Sequence, residues 1–137
     1  MRIMLDTNVL VSLLLFPNAR MNAMMERIFA EHRLVLSSFV VDELKEVARR
    51  KFPEKTKTVD TLLLKMSYDL VYTPDEIDGT LFSIRDPKDY PVLYTAVIED
   101  VDILVTGDKD FASVEIEKPE ITTPAEFMAK LLDGKRA

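Results

Sequence analysis

No cysteine and no tryptophan occur among the 137 residues, and there is a single histidine. Without cysteine there is no disulfide scaffold, no thiolate zinc site and no cysteine nucleophile. One histidine excludes both a two-histidine acid–base pair and a multi-histidine metal cage. Long apolar runs are missing too: no window approaches ~18 uninterrupted apolar residues. The opening stretch MRIMLDTNVLVSLLLF is broken by Asp6 and Asn8, too short and too polar for a signal peptide or a membrane span. A soluble, cytoplasmic protein with no membrane partner is the expectation. With only three glycines, no Pro- or Ser/Gly-rich linker and no repeat, residues 1–137 read as a single domain.

What is present is acid. Asp plus Glu is 24 against 18 Lys plus Arg, a formal net charge of −6. Chemistry in this chain falls to carboxylates. The same balance argues against a partner held by bulk charge, such as nucleic acid.

Hydrophobic patterning orders the chain. Short apolar runs closed by polar residues, at 2–6, 34–36, 69–72, 101–106 and 121–123, read as strands. Between them lie helical patterns: a run from Asn8 to Leu15 that is apolar on nearly all sides, then 20–31 with Met21, Met24, Met25, Ile28 and Phe29 at helical spacing. The methionines are the kind that fill a core or a dimer interface. A third helix, capped by Ser37 or Ser38, sets Val40, Val41, Leu44 and Val47 on one face, and a fourth spans 58–68. Asp86-Pro87-Lys88-Asp89 has the form of a helix start, Asp86 as cap and Asp89 three residues on as in a capping box, with the helix running to about Glu99. Thr123, Pro124 and Glu126 open a last helix. Strands alternating with helices predict an α/β domain with a mainly parallel sheet, whose sites form beyond the carboxyl ends of the strands.

Acids stand at those ends. Asp6 closes the first strand, Glu43 lies one and a half turns into the third helix, Asp89 lies in the first turn of the helix before the fourth strand, and Asp108 and Asp110 follow that strand. Converging carboxylates repel: two charges ~6 Å apart at an effective dielectric of ~20 cost roughly 3 kcal/mol. Protonation or a counter-ion must relieve this. Oxygen ligands without His or Cys select hard cations, Mg²⁺ or Mn²⁺. Such an ion leaves positions for phosphate oxygens, and metal-dependent phosphodiester hydrolysis follows as a hypothesis.

Leu5-Asp6-Thr7-Asn8-Val9-Leu10, Val41-Asp42-Glu43-Leu44, Asp86-Pro87-Lys88-Asp89-Tyr90-Pro91-Val92-Leu93 and Val105-Thr106-Gly107-Asp108-Lys109-Asp110-Phe111 resemble, in order and spacing, the signature of the PIN-domain family. The resemblance spans about 2–127 and is to the toxin branch of toxin–antitoxin systems, the VapC-like ribonucleases. It implies a three-layer α/β/α sandwich and an acidic Mg²⁺ or Mn²⁺ site that cleaves single-stranded RNA. By the same resemblance Asp6, Glu43, Asp89 and Asp108 match the catalytic acidic quartet. Asp110 matches an accessory metal-ligating acid, and Asn8 and Thr106 match residues that orient the first acid and a water. Asp86 is a departure, a second acid beside Asp89 that could take either role. An antitoxin protein and a homodimer are implied as partners.

Simpler roles compete residue by residue. Asp6, Asn8 and Asp108 could be helix caps, Glu43 a solvated helix position, Thr106 a strand-end hydroxyl and His32 a surface residue. The basic run Arg49-Arg50-Lys51, with Lys55 and Lys57, is either a helix end favoured by the helix dipole or a phosphate-contacting strip supplemented by Arg85, Lys88 and Lys109. Other functions compete as well. A catalytically silent RNA- or protein-binding module of the same fold is one. A receiver-like phosphoacceptor is another, on the superficial likeness of Asp102-Ile103-Leu104-Val105 and Lys118-Pro119. Against it, only 29 residues follow Asp108 and the paired acids after the first strand are missing. A haloacid-dehalogenase-type phosphatase needs Asp-x-Asp, which Asp6-Thr7-Asn8 lacks.

Overall fold

Strand-forming apolar runs and capped amphipathic helices alternate as the sequence pattern requires. The computed structural model describes residues 1–136; Ala137, the last residue of the expected domain, lies outside the described residues. Five strands, β1 (Arg2–Leu5), β2 (Arg33–Ser37), β3 (Asp69–Val71), β4 (Ile103–Val105) and β5 (Glu120–Thr122), form one parallel sheet in the order β3-β2-β1-β4-β5. Helices α1 (Thr7–Leu15), α2 (Ala19–Glu31), α3 (Ser38–Lys51), α4 (Thr56–Lys65), α5 (Tyr90–Ile98) and α6 (Pro124–Arg136) flank it in a three-layer α/β/α sandwich. A parallel sheet covered on both faces selects continuous apolar strands rather than alternating ones. Accordingly Ile3, Met4, Leu5, Ile103, Leu104 and Val105 are all buried. The two edge strands have three residues each, which leaves little unpaired backbone to invite another chain.

The helices bury the faces their spacing sets. Val40, Leu44 and Ala48, four residues apart, form the buried face of α3, and Met24, Met25 and Ile28 that of α2. Val47, expected on the buried face, is half-buried, because the four-residue row from Val40 falls on Ala48 instead. Side chains close the amino ends: Asn18 Oδ1 accepts from Met21 N at 2.9 Å, Ser37 Oγ from Val40 N at 3.2 Å and Thr123 Oγ1 from Glu126 N at 3.1 Å. Among the described residues no helix is long and apolar enough to cross a membrane.

Strand limits shift by one or two residues from the sequence reading, β4 covering only Ile103–Val105 of the expected 101–106, and two helices shift further. The fourth helix begins at Thr56 and ends at Lys65 rather than spanning 58–68, its start held by the Thr56 hydroxyl donating to Pro53 O at 2.9 Å. The helix expected from Asp86 begins only at Tyr90, behind a 3₁₀ turn over Pro87–Asp89. Pro91 explains this. It has no N–H to donate to the Pro87 carbonyl, so Tyr90 N takes that acceptor one residue earlier.

From β1 the chain moves outward to β2 and β3, then returns to lay β4 against β1's other side. The carboxyl ends of β1 and β4 are where the two directions part. In open parallel sheets this switch point opens a crevice.

Candidate active site

Asp6 leaves β1 at that switch point. Its backbone N–H donates to Val105 O at 3.0 Å, holding it against β4, and its side chain is only 5% exposed. Both carboxylate oxygens are bonded. Thr7 N donates to Oδ1 at 2.7 Å, making Asp6 the cap of α1, and the Thr106 hydroxyl donates to Oδ2 at 2.7 Å. The same Thr106 oxygen accepts from Asp108 N at 3.0 Å, so one hydroxyl ties the first acid to the loop carrying the fourth. Asn8 joins that loop through Gly107 N, which donates to Oδ1 at 3.4 Å.

Asp108 caps a 3₁₀ turn over Lys109–Phe111, accepting from Asp110 N at 2.9 Å, and buried Phe111 anchors the turn. Glu43 is half-buried on α3 and accepts a hydrogen bond at Oε1 from the Thr7 hydroxyl. Thr7 therefore holds two acids, Asp6 by its backbone and Glu43 by its side chain. Sequence reasoning gives Thr7 no role; its place in the first turn beside a strand-end acid is the signal that could have found it.

The capping box expected at Asp86 and Asp89 takes another form. Asp86 accepts from Lys88 N at 3.0 Å, while Asp89 N donates to the Asp86 carbonyl at 3.0 Å. This leaves the Asp89 carboxylate free of cap duty, and its Oδ2 is buried with no hydrogen-bond partner. Asp86, Asp89 and Asp110 each bring a carboxylate oxygen to within 4.8 Å of the others. Asp6, Glu43 and Asp108 adjoin this cluster rather than forming part of its tightest group.

Charge links the whole set. Burial raises the Asp6 pKa; the Thr106 and Thr7 hydrogen bonds oppose the rise, and the charges of Glu43 and Asp108 add to it. Asp89 is pushed up to about 7, first by burial, then by a hydrogen bond and charge from Asp108, then by Asp6 and Asp86. At the cluster's spacing, two carboxylates repel by about 3 kcal/mol at an effective dielectric of ~20. The one cation paired with these acids among the described residues is Arg85, whose Nη1 stands 3.8 Å from Asp110 Oδ1 with the side chain 84% exposed. A solvated pair of that length offsets little. An unpartnered buried oxygen and an all-oxygen donor set fit a hard divalent cation.

The basic run lies elsewhere. Arg49 pairs with Glu46, and Lys55 donates to Leu15 O at 3.0 Å while its Nζ sits 5.0 Å from the Phe16 ring centroid, closing the carboxyl end of α1. Lys51 is eight residues past Glu43, about 12 Å further along α3 at ~1.5 Å per residue. The dipole-stabilised helix end describes this run, and Lys55 has a structural role. Arg85, Lys88 and Lys109 are the cations interleaved with the site acids. Asp102 and Lys118, the basis of the receiver-like comparison, meet in an ion pair at the amino end of β4, away from the acids; Arg2 N also donates to Asp102 at 2.7 Å.

A protein-family model described as PIN domain matches residues 2–110. Comparison with curated proteins finds no match. Among solved structures, VapBC2 from Rickettsia felis bound to a DNA fragment from its promoter aligns with a TM-score of 0.68 at 20% identity, over 89% of this chain and 97% of the other. VapBC-1 from nontypeable Haemophilus influenzae gives 0.65 at 19% identity over 91% and 99%. VapC20 of Mycobacterium tuberculosis, a Sarcin-Ricin loop cleaving toxin, gives 0.58 at 15% identity over 81% and 93%.

Proposed function

The chain belongs to the PIN-domain family, and from that premise we propose that it is a metal-dependent endoribonuclease that hydrolyses single-stranded RNA, acting as the toxin of a toxin–antitoxin pair. The observation that carries the reading is Asp89. Its unpartnered buried oxygen, beside Asp86 and Asp110 and under the charges of Asp108 and Asp6, leaves a site that is incomplete without positive charge. The structural likeness to VapC20 and to two VapBC assemblies supports the toxin role and an antitoxin partner.

Asp6, Glu43, Asp89 and Asp108 would hold Mg²⁺ or Mn²⁺, with Asp110 as an accessory ligand. The chemistry such an ion supplies when bound is neutralisation of the phosphate's charge and acidification of a water. The chain's own part is orientation and exclusion of solvent. Thr106 and Thr7 fix the two oxygens of Asp6, and Thr7 holds Glu43 by Oε1, which leaves its Oε2 for the ion or a water bound to it. Arg85, Lys88 and Lys109 offer positive charge to the RNA backbone at the rim. Residues 1–137 act as one catalytic unit in this reading, in the cytoplasm and as a homodimer.

The test is cleavage of a single-stranded oligoribonucleotide with Mn²⁺ or Mg²⁺. Wild type should cut and Asp6→Asn should lose at least about a hundred-fold, since an amide keeps the cap but not the charge. Equal activity in the two proteins would sink the proposal.

A further inference from the structure

Next to Asp108, the ends of β4 and β5 and the first turn of α6 enclose a hollow of about 410 Å³. Lys109 and Ala112 line it from the turn after β4; Thr122 and Glu126 line it from β5 and α6. The first turn of α6 is held by Thr123, which accepts from Glu126 N at 3.1 Å, but the Glu126 carboxylate itself makes no hydrogen bond or ion pair among the described residues. Lys109 has no ion pair there either, although it lies between Asp108 and Asp110 in sequence. The hydroxyl of Thr122 is buried without a partner. Among the described residues, an exposed unpaired cation and an exposed unpaired carboxylate therefore line one hollow beside Asp108.

Opposite charges that line one hollow without pairing match a ligand that carries both an anion and hydrogen-bond donors. A nucleotide does. Among the four bases, guanine alone presents two adjacent donors, N1–H and N2–H₂, on its pairing edge, and these meet the two oxygens of a carboxylate in a bidentate pair. Adenine and cytosine place an acceptor beside their one donor group, and uracil places its donor between two acceptors.

We propose that this hollow is a guanine-nucleotide subsite, with Lys109 contacting the phosphate and Glu126 the base edge, so that cleavage falls beside a guanosine. The inference rests on the nuclease reading and adds base selection to it.

The four nucleoside 5′-monophosphates, titrated calorimetrically into metal-free protein, test the subsite without any cleavage. Guanosine monophosphate should bind about ten-fold or more tighter than uridine monophosphate, the scale of one charge-assisted hydrogen bond. Glu126→Gln should abolish that preference, and Lys109→Ala should weaken all four nucleotides alike. Ala112→Phe, at an exposed position, should block binding altogether while circular dichroism shows a retained fold. In parallel, wild-type cleavage of oligoribonucleotides carrying one guanosine at successive positions should follow the guanosine, and Glu126→Gln should scatter the cuts. Equal affinity for the four nucleotides, or unchanged binding by Ala112→Phe, overturns the subsite. RNA cleavage with no base preference overturns it too, and leaves the nuclease reading standing. Guanine-selective binding by a protein that cuts no RNA does the reverse: it sinks the nuclease reading and supports the hollow as a nucleotide site.

Discussion

Asp86 and Asp89 stand three residues apart with the same carboxylate and opposite local duties. Asp86 spends one oxygen on Lys88 N, closing the 3₁₀ turn, whereas Asp89 has a buried oxygen with nothing to bond. Asp89→Asn should therefore remove metal-dependent cleavage by about a hundred-fold or more while leaving thermal stability equal or higher, because an amide relieves repulsion among neighbouring acids. Asp86→Asn should keep a measurable rate, since its amide oxygen still caps the turn. Cleavage rates and melting temperatures of the two variants, measured side by side, check the assignment. The reverse ranking would hand the ligand role to Asp86.

At the scale of elements, much is legible in the sequence. Five short runs mark five strands, and the three central ones, β1, β2 and β4, are continuously apolar because burial on both faces leaves no room for polar alternation. Ser37 and Thr123 are caps where the sequence places them. Asp86-Pro87 is harder to read. It carries a helix-start pattern, but the missing N–H of Pro91 delays the helix by three residues, an effect that depends on bonds between residues rather than on residue types. The basic run deceives in another way. Five cations within nine residues look like an RNA-binding strip, yet α3 carries Arg49–Lys51 away from the sheet's carboxyl edge and Lys55 is bound to Leu15 and Phe16. Replacing Arg49, Arg50 and Lys51 together by Gln should leave the salt dependence of RNA binding unchanged. Replacing Arg85 and Lys88 should lower the slope of log K against log[salt] by about 0.7 for each phosphate no longer neutralised. Filter binding at several salt concentrations separates the two sets.

For the molecule as a whole, the acidity that seems to exclude RNA is concentrated. Five of the 24 acids, Asp6, Glu43, Asp89, Asp108 and Asp110, gather at one end of the sheet with Asp86 among them, and without those five the chain is nearly neutral. Convergence across the sheet cannot be read from the chain alone, nor can the burial that lifts Asp89 to about 7. That lift has a sign. The folded state holds the Asp89 proton more tightly than the unfolded chain, whose aspartates titrate near ~3.9. In chelator-treated protein the stabilising contribution of this proton is present below that value and lost as pH rises through about 7. Melting temperature should fall between pH 5 and pH 8, Asp89→Asn should flatten the fall, and Mn²⁺ should raise the melting point more at pH 8 than at pH 5. A metal-free protein that melts higher at pH 8 would contradict the electrostatics described for this site.

Asp6 is bonded at both oxygens and through its own N–H, so it belongs to the architecture as much as to the chemistry. Glu43 and Asp110 carry no comparable share of the fold. A lineage descending from this protein and released from the need to cut RNA would therefore decay in order. Glu43 and Asp110 could drift early at little cost to folding, while Asp6 would persist, or pass to asparagine, long after the last bond had been cleaved. An aspartate at that position in a silent descendant would then record how the chain folds, and would say nothing about whether it still works.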